Sequence, residues 1–460
     1  MGLAVIILAA GEGTRMKSSH PKVLHELFGQ PLISYAIVEA KKLKPEKVIV
    51  VVGHQAEKIT PLLDGDVEWV IQSEQLGTAD AVKVAESKLT DFDGTIMVTC
   101  ADTPLIRHET LAKLLHLHKE KKASGTLLSA DFSDPTGYGR VIRGADGMVK
   151  SIIEEKDATD DERKISEINS GFYCFEKQEL FEAIEKIDCR NAQREFYLTD
   201  VVEILNNSGK RIAVHTVEDS SEVLGINSRR ELAEALKIMQ ARINNKWMED
   251  GVTLVAPDMT FVGPEVAIGR DTIIYPFSFL EGRTKIGREC RIGPSAHLID
   301  MSVGDRVKME NVVAEDSFVE DEVSLGPFCR LRSGTRIKRG ARIGSYVELK
   351  KSQVGEDSKV PHLSYIGDAT IGKNVNIGAG TITCNYDGAE KHQTVIEDGA
   401  FIGSDTMLIA PVKVGRDATT GAGSAISEDV PEGSLALERS QQRVIKDWSK
   451  KRRIKKEGKK

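Results

Sequence analysis

Residues 268–298 read IGRDTIIYPFSFLEGRTKIGRECRIGPSAHL, in which an aliphatic residue recurs at every sixth position. The recurring residues are Ile268, Ile274, Leu280, Ile286, Ile292 and Leu298. A second run keeps this spacing through Val307, Val313, Val319, Leu325, Leu331, Ile337, Ile343 and Leu349. This spacing fits neither one helix face nor one flat strand, which repeat at about 3.6 and 2.0 residues. It predicts a triangular coil of three short strands, each with one aliphatic side chain inside.

The coil continues toward the C-terminus with a few one-residue slips. The period resumes at Val354, Val360 and Ile366, at Ile371 and Ile377, and at Ile396, Ile402, Leu408 and Val414. The pattern resembles the hexapeptide repeats of parallel β-helices, whose known members wind left-handed. The resemblance implies a left-handed parallel β-helix over residues 251–460. The break in the period at 381–393 predicts a loop that projects from the coil.

Upstream of residue 228, short β-branched runs alternate with amphipathic stretches. The predicted strands are 4–8, 48–52, 67–71 and 96–99, and the predicted helices are 31–43, 56–63 and 78–89. This alternation predicts a mostly parallel, Rossmann-like α/β sheet that binds ligands beyond the carboxyl ends of its strands. Ser228 and Glu231 form a predicted capping box for a helix over 229–250. We therefore expect an α/β domain over 1–228, a linker helix over 229–250 and the β-helix domain over 251–460.

Composition narrows the class of protein. The chain has 460 residues, enough for two or three domains. Its 63 basic and 70 acidic residues give a net charge of −7, without the basic surplus of a dedicated nucleic-acid-binding protein. The longest apolar run near the N-terminus, 3–10, is far shorter than the roughly 20 residues that span a bilayer. With no export or lipidation signal either, we expect a cytoplasmic protein without a membrane segment. Its six cysteines include no C-x-x-C pair, which argues against a zinc knuckle or a disulfide framework.

A glycine-rich string, LAAGEGTRM at 8–16, follows the first predicted strand, and Pro21-Lys22 follows shortly after. Glycines at a strand end let backbone N–H groups approach phosphate oxygens, while Arg15 and Lys22 supply positive charge. Met16 replaces the third glycine of a dinucleotide-binding fingerprint, and the Gly-Lys-Ser/Thr of a P-loop is missing. The string with its Pro-Lys resembles the opening signature of the sugar-1-phosphate nucleotidyltransferases.

That resemblance implies Mg²⁺-dependent transfer of a uridylyl group from UTP to a sugar 1-phosphate, with Arg15 and Lys22 as catalytic residues. It assigns nucleotide binding to Leu8, Ala9, Ala10, Gly11, Lys22, Gln72, Gly77 and Thr78. It assigns the sugar phosphate to Gly139, Glu154, Asn169 and Asn227. Asp102 and Asn227 would bind the metal, and their oxygens suit Mg²⁺.

Polar strings interrupt the aliphatic coil: PHLSYIGD at 361–368, NVNIGAG at 374–380 and CNYDG at 384–388. They resemble the acetyltransferase domain of the bifunctional N-acetylglucosamine-1-phosphate uridylyltransferase/glucosamine-1-phosphate acetyltransferase family, and the resemblance covers essentially the whole chain. It implies a homotrimer in which His362 is the general base. It assigns glucosamine 1-phosphate to Arg332, Lys350, Tyr365 and Asn376. It assigns acetyl-CoA to Ala379, Asn385, Tyr386, Ser404, Ala422 and Arg439.

Two other hypotheses remain open on sequence alone. The β-helix could serve only assembly or regulation, because the repeat specifies a scaffold and not a reaction. The chain could also be a non-enzymatic trimeric scaffold that binds polyanions through residues 446–460, which hold nine basic and two acidic residues. Such a tail is more typical of a solvated terminus. Cys384 could be an acyl-accepting nucleophile, but direct transfer to an amine needs none, so we interpret it as structural.

Overall fold

The structure is a computed structural model that describes residues 2–457, with side chains described as far as Arg453. It divides into two compact units, Met1–Met239 and Gln240–Lys460. Within the described residues, none of the helices combines the length and apolarity needed to cross a membrane. The last three residues of the basic tail, 458–460, lie outside the described part. Upstream of them the tail forms a helix, Trp448–Glu457, whose described side chains are exposed.

A nine-stranded mixed sheet organises the first unit, in the order β11-β7-β10-β6-β1-β4-β5, with β8 and β9 beside β10. Two further strands, β2 and β3, pair only with each other. The strands of the unit are β1 (Gly2–Ala9), β2 (Glu26–Leu27), β3 (Gln30–Pro31), β4 (Lys47–Val52), β5 (Glu68–Ile71), β6 (Gly94–Cys100), β7 (Gly125–Asp131), β8 (Arg140–Arg143), β9 (Val149–Ile153), β10 (Glu167–Glu176) and β11 (Ile212–Thr216). The helices are α1 (Leu32–Lys42), α2 (Ala56–Ile59), α3 (Thr78–Val84), α4 (His108–Lys121), α5 (Lys177–Ile184), α6 (Asp200–Asn207) and α7 (Arg229–Glu249).

The predicted Rossmann-like α/β class is confirmed. β1 pairs in parallel with both β4 and β6, so the carboxyl ends of these strands meet at one edge. Two predicted helices are shorter than expected, because α2 and α3 give way to 3₁₀ turns at Thr60–Leu62 and Ala85–Lys88. Pro61 lies in the first of these turns, where a proline cannot donate the hydrogen bond that an α-helix requires.

The second unit is a coil of parallel strands on three faces, as the repeat predicts. Face 1 has eleven strands from Thr253–Leu254 to Leu435–Ala436, face 2 has ten from Thr260–Val262 to Ala425–Ile426, and face 3 has nine from Ala267–Ile268 to Val412–Val414. Successive aliphatic residues stack inside: Leu331 pairs with Leu349 and Leu349 with Ile366, and all three are fully buried. The hexapeptide β-helix fold is therefore confirmed.

The predicted register is wrong around Val313. This side chain is 49% exposed, whereas its neighbours Val312 and Ala314 are buried. The inward positions in this stretch are Leu298, Val303, Met309, Ala314 and Val319, so three of the four steps span five residues. A corner that is one residue shorter moves every following residue of a strand to the opposite face. The strict six-residue spacing therefore predicted Val313 as an inward residue, whereas the structure exposes it.

The second half of α7 covers the first coil of the β-helix. The Gln240 side-chain amide donates to the carbonyl oxygen of Thr260 at 2.9 Å, and the Asn244 amide donates to that of Pro257 at 2.8 Å. Ile243 and Trp247 pack against the aliphatic core. The helix thus satisfies polar groups and shields apolar groups at this end of the coil.

The register makes a stability prediction that distinguishes inward from outward residues. Leu331→Ala removes a fully buried side chain, so we expect it to lower the free energy of unfolding by about 2–5 kcal/mol. Val313→Ala trims an exposed side chain and should change that free energy by less than about 0.5 kcal/mol. Urea unfolding of the β-helix followed by circular dichroism measures both. Equal losses would contradict the register described here.

Candidate active sites

A cleft of about 310 Å³ opens in the first unit beyond the carboxyl ends of β1 and β6. Its walls are Leu8, Ala9, Ala10, Gly11, Lys22, Val23, Gln72, Gln75, Gly77, Thr78, Ala81, Cys100, Asp102 and Glu195. All eight residues that the resemblance assigns to the nucleotide lie in this lining. Gln75, Cys100 and Glu195 also contribute, and sequence reasoning missed them because no repeat or motif includes them. Burial raises the pKa of the Cys100 thiol to about 12, so this thiol stays neutral at pH 7.

The glycine-rich loop packs closely against Lys22. Gly13 has a φ of 65°, and a Cβ atom there would lie 2.5 Å from the Lys22 Cβ atom. Met16 is buried and holds the loop to the core. Arg15 lies on the short 3₁₀ turn Thr14–Met16, is exposed and does not line the cleft. The loop therefore directs Lys22 into the cleft and leaves Arg15 at its outside.

Lys22, Asp102 and Asn227 converge in the cleft although they are far apart in sequence. The Lys22 ammonium lies 2.5 Å from a carboxylate oxygen of Asp102 and donates to the Asn227 amide oxygen at 2.9 Å. The backbone N–H of Ile226 donates to the Asp102 carbonyl oxygen at 2.8 Å and so holds the two segments together. Both oxygens face one cation, and their chemistry fits Mg²⁺. No group of three or more His, Cys, Asp or Glu side chains suited to a metal occurs among the described residues.

Another part of the cleft lining is formed by Gln72 and Gly77. The buried Gln72 amide donates to the Gly77 carbonyl oxygen at 3.0 Å and to an Asp80 carboxylate oxygen at 2.8 Å. Gly77 has a φ of 122°, and a Cβ atom there would lie 2.5 Å from the carbonyl oxygen of Phe196. Only glycine fits this position. The Thr78 hydroxyl accepts the Leu198 N–H at 2.9 Å.

Three residues assigned to the sugar lie side by side, one just before β8, one just after β9 and one within β10. The Asn169 N–H donates to the Gly139 carbonyl oxygen at 2.8 Å, and a Cβ atom at Gly139 would lie 3.4 Å from a Glu154 carboxylate oxygen. We call Gly139, Glu154 and Asn169 the sugar rung. Burial raises the pKa of Glu154, and the nearby carboxylate of Asp200 adds to this effect.

A group of cations lies on face 2 of the β-helix. Arg332 pairs in register with Lys350, and Arg332 donates to a Glu348 carboxylate oxygen at 3.1 Å. Contact with Lys391 and the positive charge of Arg332 lower the pKa of Lys350. The loop predicted over 381–393 is shorter in the structure, because Ile382–Cys384 forms a strand of face 2. Lys391 comes from the remaining loop, which folds back through a bridge between Tyr386 and Lys391. Sequence reasoning missed Lys391, although its place in the predicted loop was the available signal.

His362 ends the face 1 strand Lys359–His362 and is exposed. Its carbonyl oxygen accepts the Ser364 hydroxyl at 2.9 Å. Asn376 lies one coil further along the same face, opposite Lys359. Arg332 and Lys350 thus lie on face 2, whereas His362 and Asn376 lie on face 1. The residues of the predicted acetyl site are divided between two faces of the chain.

Tyr365 and Asn385 meet above Gly367. A Cβ atom at Gly367 would lie 2.6 Å from the Tyr365 hydroxyl and 2.7 Å from the Asn385 amide nitrogen. The Asn385 amide donates to an Asp368 carboxylate oxygen at 2.5 Å. Tyr386 is 60% exposed on the loop. The structure thus joins Tyr365 to Asn385 and leaves Tyr386 facing outward.

The remaining predicted acetyl-CoA residues follow one corner of the coil. The Ala379 carbonyl oxygen accepts the Asp405 N–H at 2.7 Å, and the Ser404 carbonyl oxygen accepts the Gly423 N–H at 2.8 Å. The Ala422 carbonyl oxygen accepts from the Arg439 guanidinium at 3.1 Å. Successive turns therefore place these residues in one column that runs toward the C-terminus.

Comparison with known proteins matches both units. The Nucleotidyl transferase family model matches residues 4–249, and the Hexapeptide repeat of succinyl-transferase model matches residues 393–428. A solved structure of UDP-glucose pyrophosphorylase complexed with UDP-glucose covers 53% of this chain and 100% of its own at 18% identity, with a TM-score of 0.45. The Bifunctional protein GlmU of Heliobacterium modesticaldum is 49% identical over 96% of this chain and 97% of its own. That of Geobacillus sp. is 48% identical over 95% of each. Since this identity spans both units in the same order, the chain belongs to the family of bifunctional GlmU proteins.

Proposed function

We propose that the chain carries out two consecutive steps of UDP-N-acetylglucosamine synthesis. The β-helix transfers an acetyl group from acetyl-CoA to glucosamine 1-phosphate. The first unit then transfers a uridylyl group from UTP to N-acetylglucosamine 1-phosphate and releases pyrophosphate. The observation that carries this proposal is that each unit holds its own cationic group, Lys22 in the cleft and Lys350 with Lys391 on face 2, and we assign each group to a substrate phosphate. Both co-substrates are cytoplasmic metabolites, so we assign the enzyme to the cytoplasm.

In the uridylyl step, an oxygen of the sugar phosphate attacks the α-phosphorus of UTP, and the bond to pyrophosphate breaks. Lys22 neutralises charge that develops on the phosphates, and we assign the same role to Arg15, which lies outside the cleft lining, once the phosphates are bound. Asp102 and Asn227 would hold Mg²⁺, which supplies further positive charge beside the phosphates when bound. Positioning and charge neutralisation suffice, so the reaction needs no protein nucleophile.

In the acetyl step, the sugar amine attacks the thioester carbonyl, a C–N bond forms and the C–S bond breaks. The His362 imidazole accepts the proton that the amine loses, and coenzyme A leaves as a thiolate that is then protonated. Arg332, Lys350 and Lys391 hold the sugar phosphate. His362 and Ser404 are exposed, so a neighbouring coil is needed to enclose the acetyl group. The family resemblance implies three copies, and we therefore propose that the enzyme works as a homotrimer whose neighbouring copies supply that coil.

Omission of UTP provides the test of this two-step function. With Mg²⁺, acetyl-CoA and glucosamine 1-phosphate, we expect rapid release of free thiol, and later addition of UTP should release pyrophosphate. Glucose 1-phosphate is the control, because it has no amine to acetylate. Pyrophosphate release from N-acetylglucosamine 1-phosphate without any thiol release would contradict the acetyl step and leave a nucleotidyltransferase with a structural β-helix.

The position of Lys22 predicts competition between its ammonium group and a divalent cation. Because the ammonium lies 2.5 Å from Asp102, Lys22→Met should strengthen Mn²⁺ binding to the nucleotide-free protein by about tenfold or more. The same substitution should abolish uridylyl transfer. Electron paramagnetic resonance of free Mn²⁺ measures the affinity directly. Arg15→Met removes an equal charge outside the cleft lining and should leave this affinity unchanged, and equal effects of the two variants would contradict the prediction.

A further inference from the structure

Arg140 has the largest fully buried side chain among the described residues, and the uridylyl chemistry above gives it no role. It begins β8 and is 1% exposed. A buried guanidinium is costly unless its charge and N–H groups are satisfied. Its partners therefore indicate what this arginine holds in place.

The strand register places Arg140 next to the sugar rung. Arg140 pairs with Ile153 of β9 and with Ile168 of β10. In antiparallel strands, the residue before Arg140 then faces the residue after each of these partners. Those residues are Gly139, Glu154 and Asn169, which are the members of the sugar rung. Arg140 thus occupies the adjoining rung of the same three strands.

The guanidinium of Arg140 binds the chain on both sides of the sugar rung. It donates to the carbonyl oxygen of Tyr138, which precedes Gly139, and it lies 2.8 Å from a carboxylate oxygen of Glu155, which follows Glu154. It also donates to the carbonyl oxygen of Arg163 at 3.2 Å, whereas its Nε–H is buried without a hydrogen-bond partner among the described residues. One buried group therefore links β8 to the segment that leaves β9.

The same contacts reach toward Asn227, to which Lys22 donates. The Tyr138 hydroxyl accepts the N–H of Gly225 at 3.2 Å. Gly225 is two residues before Asn227, and a Cβ atom at Gly225 would lie 3.6 Å from the Asn227 amide nitrogen. Arg140 fixes Tyr138 through its carbonyl group, and Tyr138 contacts the turn that carries Asn227. A shift of Arg140 would therefore displace the sugar rung directly and would displace Asn227 indirectly, through Tyr138.

We propose that Arg140 is a positioning residue that sets the geometry of the sugar rung for N-acetylglucosamine 1-phosphate. This inference rests on the proposed uridylyl function. A planar guanidinium presents several donors in a fixed fork, whereas a lysine ammonium is a single point of charge and methionine donates nothing. Arg140→Lys keeps the charge and part of the contacts, and Arg140→Met removes all of them.

Steady-state kinetics of the full chain tests this role. For Arg140→Met, we expect kcat/KM for N-acetylglucosamine 1-phosphate to fall roughly 10- to 100-fold, mainly through KM. The KM for UTP should stay within about twofold, which separates lost sugar binding from a general loss of active sites. Arg140→Lys should recover part of the sugar KM. Acetyl transfer by the second unit of the same chain provides an internal standard for the amount of folded protein.

A destabilised variant elsewhere in the unit is the matched control. Leu114→Ala removes a fully buried side chain from α4 and should lower the melting temperature while it leaves the sugar KM unchanged. All assays run well below the lowest melting temperature. A sugar KM for Arg140→Met equal to that of the wild type would overturn the positioning role. A wild-type chain that transfers no uridylyl group would overturn the proposed function as well, and the parallel wild-type assay tells these two failures apart.

Discussion

His362→Ala lowers the rate of thiol release from acetyl-CoA by roughly 10²–10⁴-fold and leaves uridylyl transfer at the wild-type rate. The loss follows because the sugar amine must give up a proton as it attacks the thioester, and the imidazole is the group we assign to accept it. His362 is exposed at the end of a β-helix strand, so its removal leaves the aliphatic core intact. Thiol release with glucosamine 1-phosphate, and pyrophosphate release with N-acetylglucosamine 1-phosphate, measure the two activities in one preparation.

His297→Ala is the matched control for this substitution. His297 is a second part-exposed histidine of the β-helix, and it contacts a Glu281 carboxylate oxygen at 2.8 Å on face 2, far along the chain from His362. Its loss should change neither activity. If His362→Ala retained wild-type thiol release, the base would be another group. If neither the variant nor the wild type released thiol, the β-helix would serve only assembly.

Asp102→Asn has the second large effect, in the other unit. The amide keeps the size of the side chain but loses the negative charge that faces Lys22 and that would bind Mg²⁺. We expect uridylyl transfer to fall on the order of 10²–10³-fold, while acetyl transfer stays unchanged. Pyrophosphate release over a range of Mg²⁺ concentrations is the measurement, and the variant should need more Mg²⁺ for half-maximal rate.

The control for charge alone is Asp64→Asn. Asp64 is an exposed surface residue of the same unit, 3.5 Å from the Lys41 ammonium. It should leave both activities unchanged, because exposed ion pairs contribute little. Together with His362→Ala, the Asp102 variant forms a pair in which each substitution removes one activity and keeps the other. Loss of both activities in either variant would contradict the assignment of one reaction to each unit.

The sequence predicted the parts of this fold that a local period determines. The six-residue spacing identified the β-helix because an inward aliphatic side chain recurs once per face. It misplaced Val313, since the length of a corner depends on how neighbouring coils pack and leaves no periodic trace. The resemblance to known families supplied Asp102 and Asn227, but only the folded chain shows that they meet at Lys22.

The sequence did not predict the roles of residues that belong to no motif. Lys391 belongs to an irregular loop, and its approach to Lys350 depends on how that loop folds back. Gln75 enters the cleft by donating to the Ala10 carbonyl oxygen at 2.7 Å, a contact across 65 residues. Arg140 reads as an ordinary charged residue in a strand, and its burial is visible only in three dimensions. Long-range contacts of this kind follow from tertiary structure.

The helix that covers the first coil has a consequence for self-association. A stack of parallel strands ends in a row of unpaired backbone groups, and such an edge is a template on which another chain can add strands and grow a fibre. Gln240 and Asn244 occupy carbonyl groups of the first coil, and Trp247 covers its apolar end. We therefore expect α7 to block the addition of strands from another chain to the first coil. We expect no strand addition at that end, because the element that precedes the first coil is a helix, and a helix cannot extend a sheet.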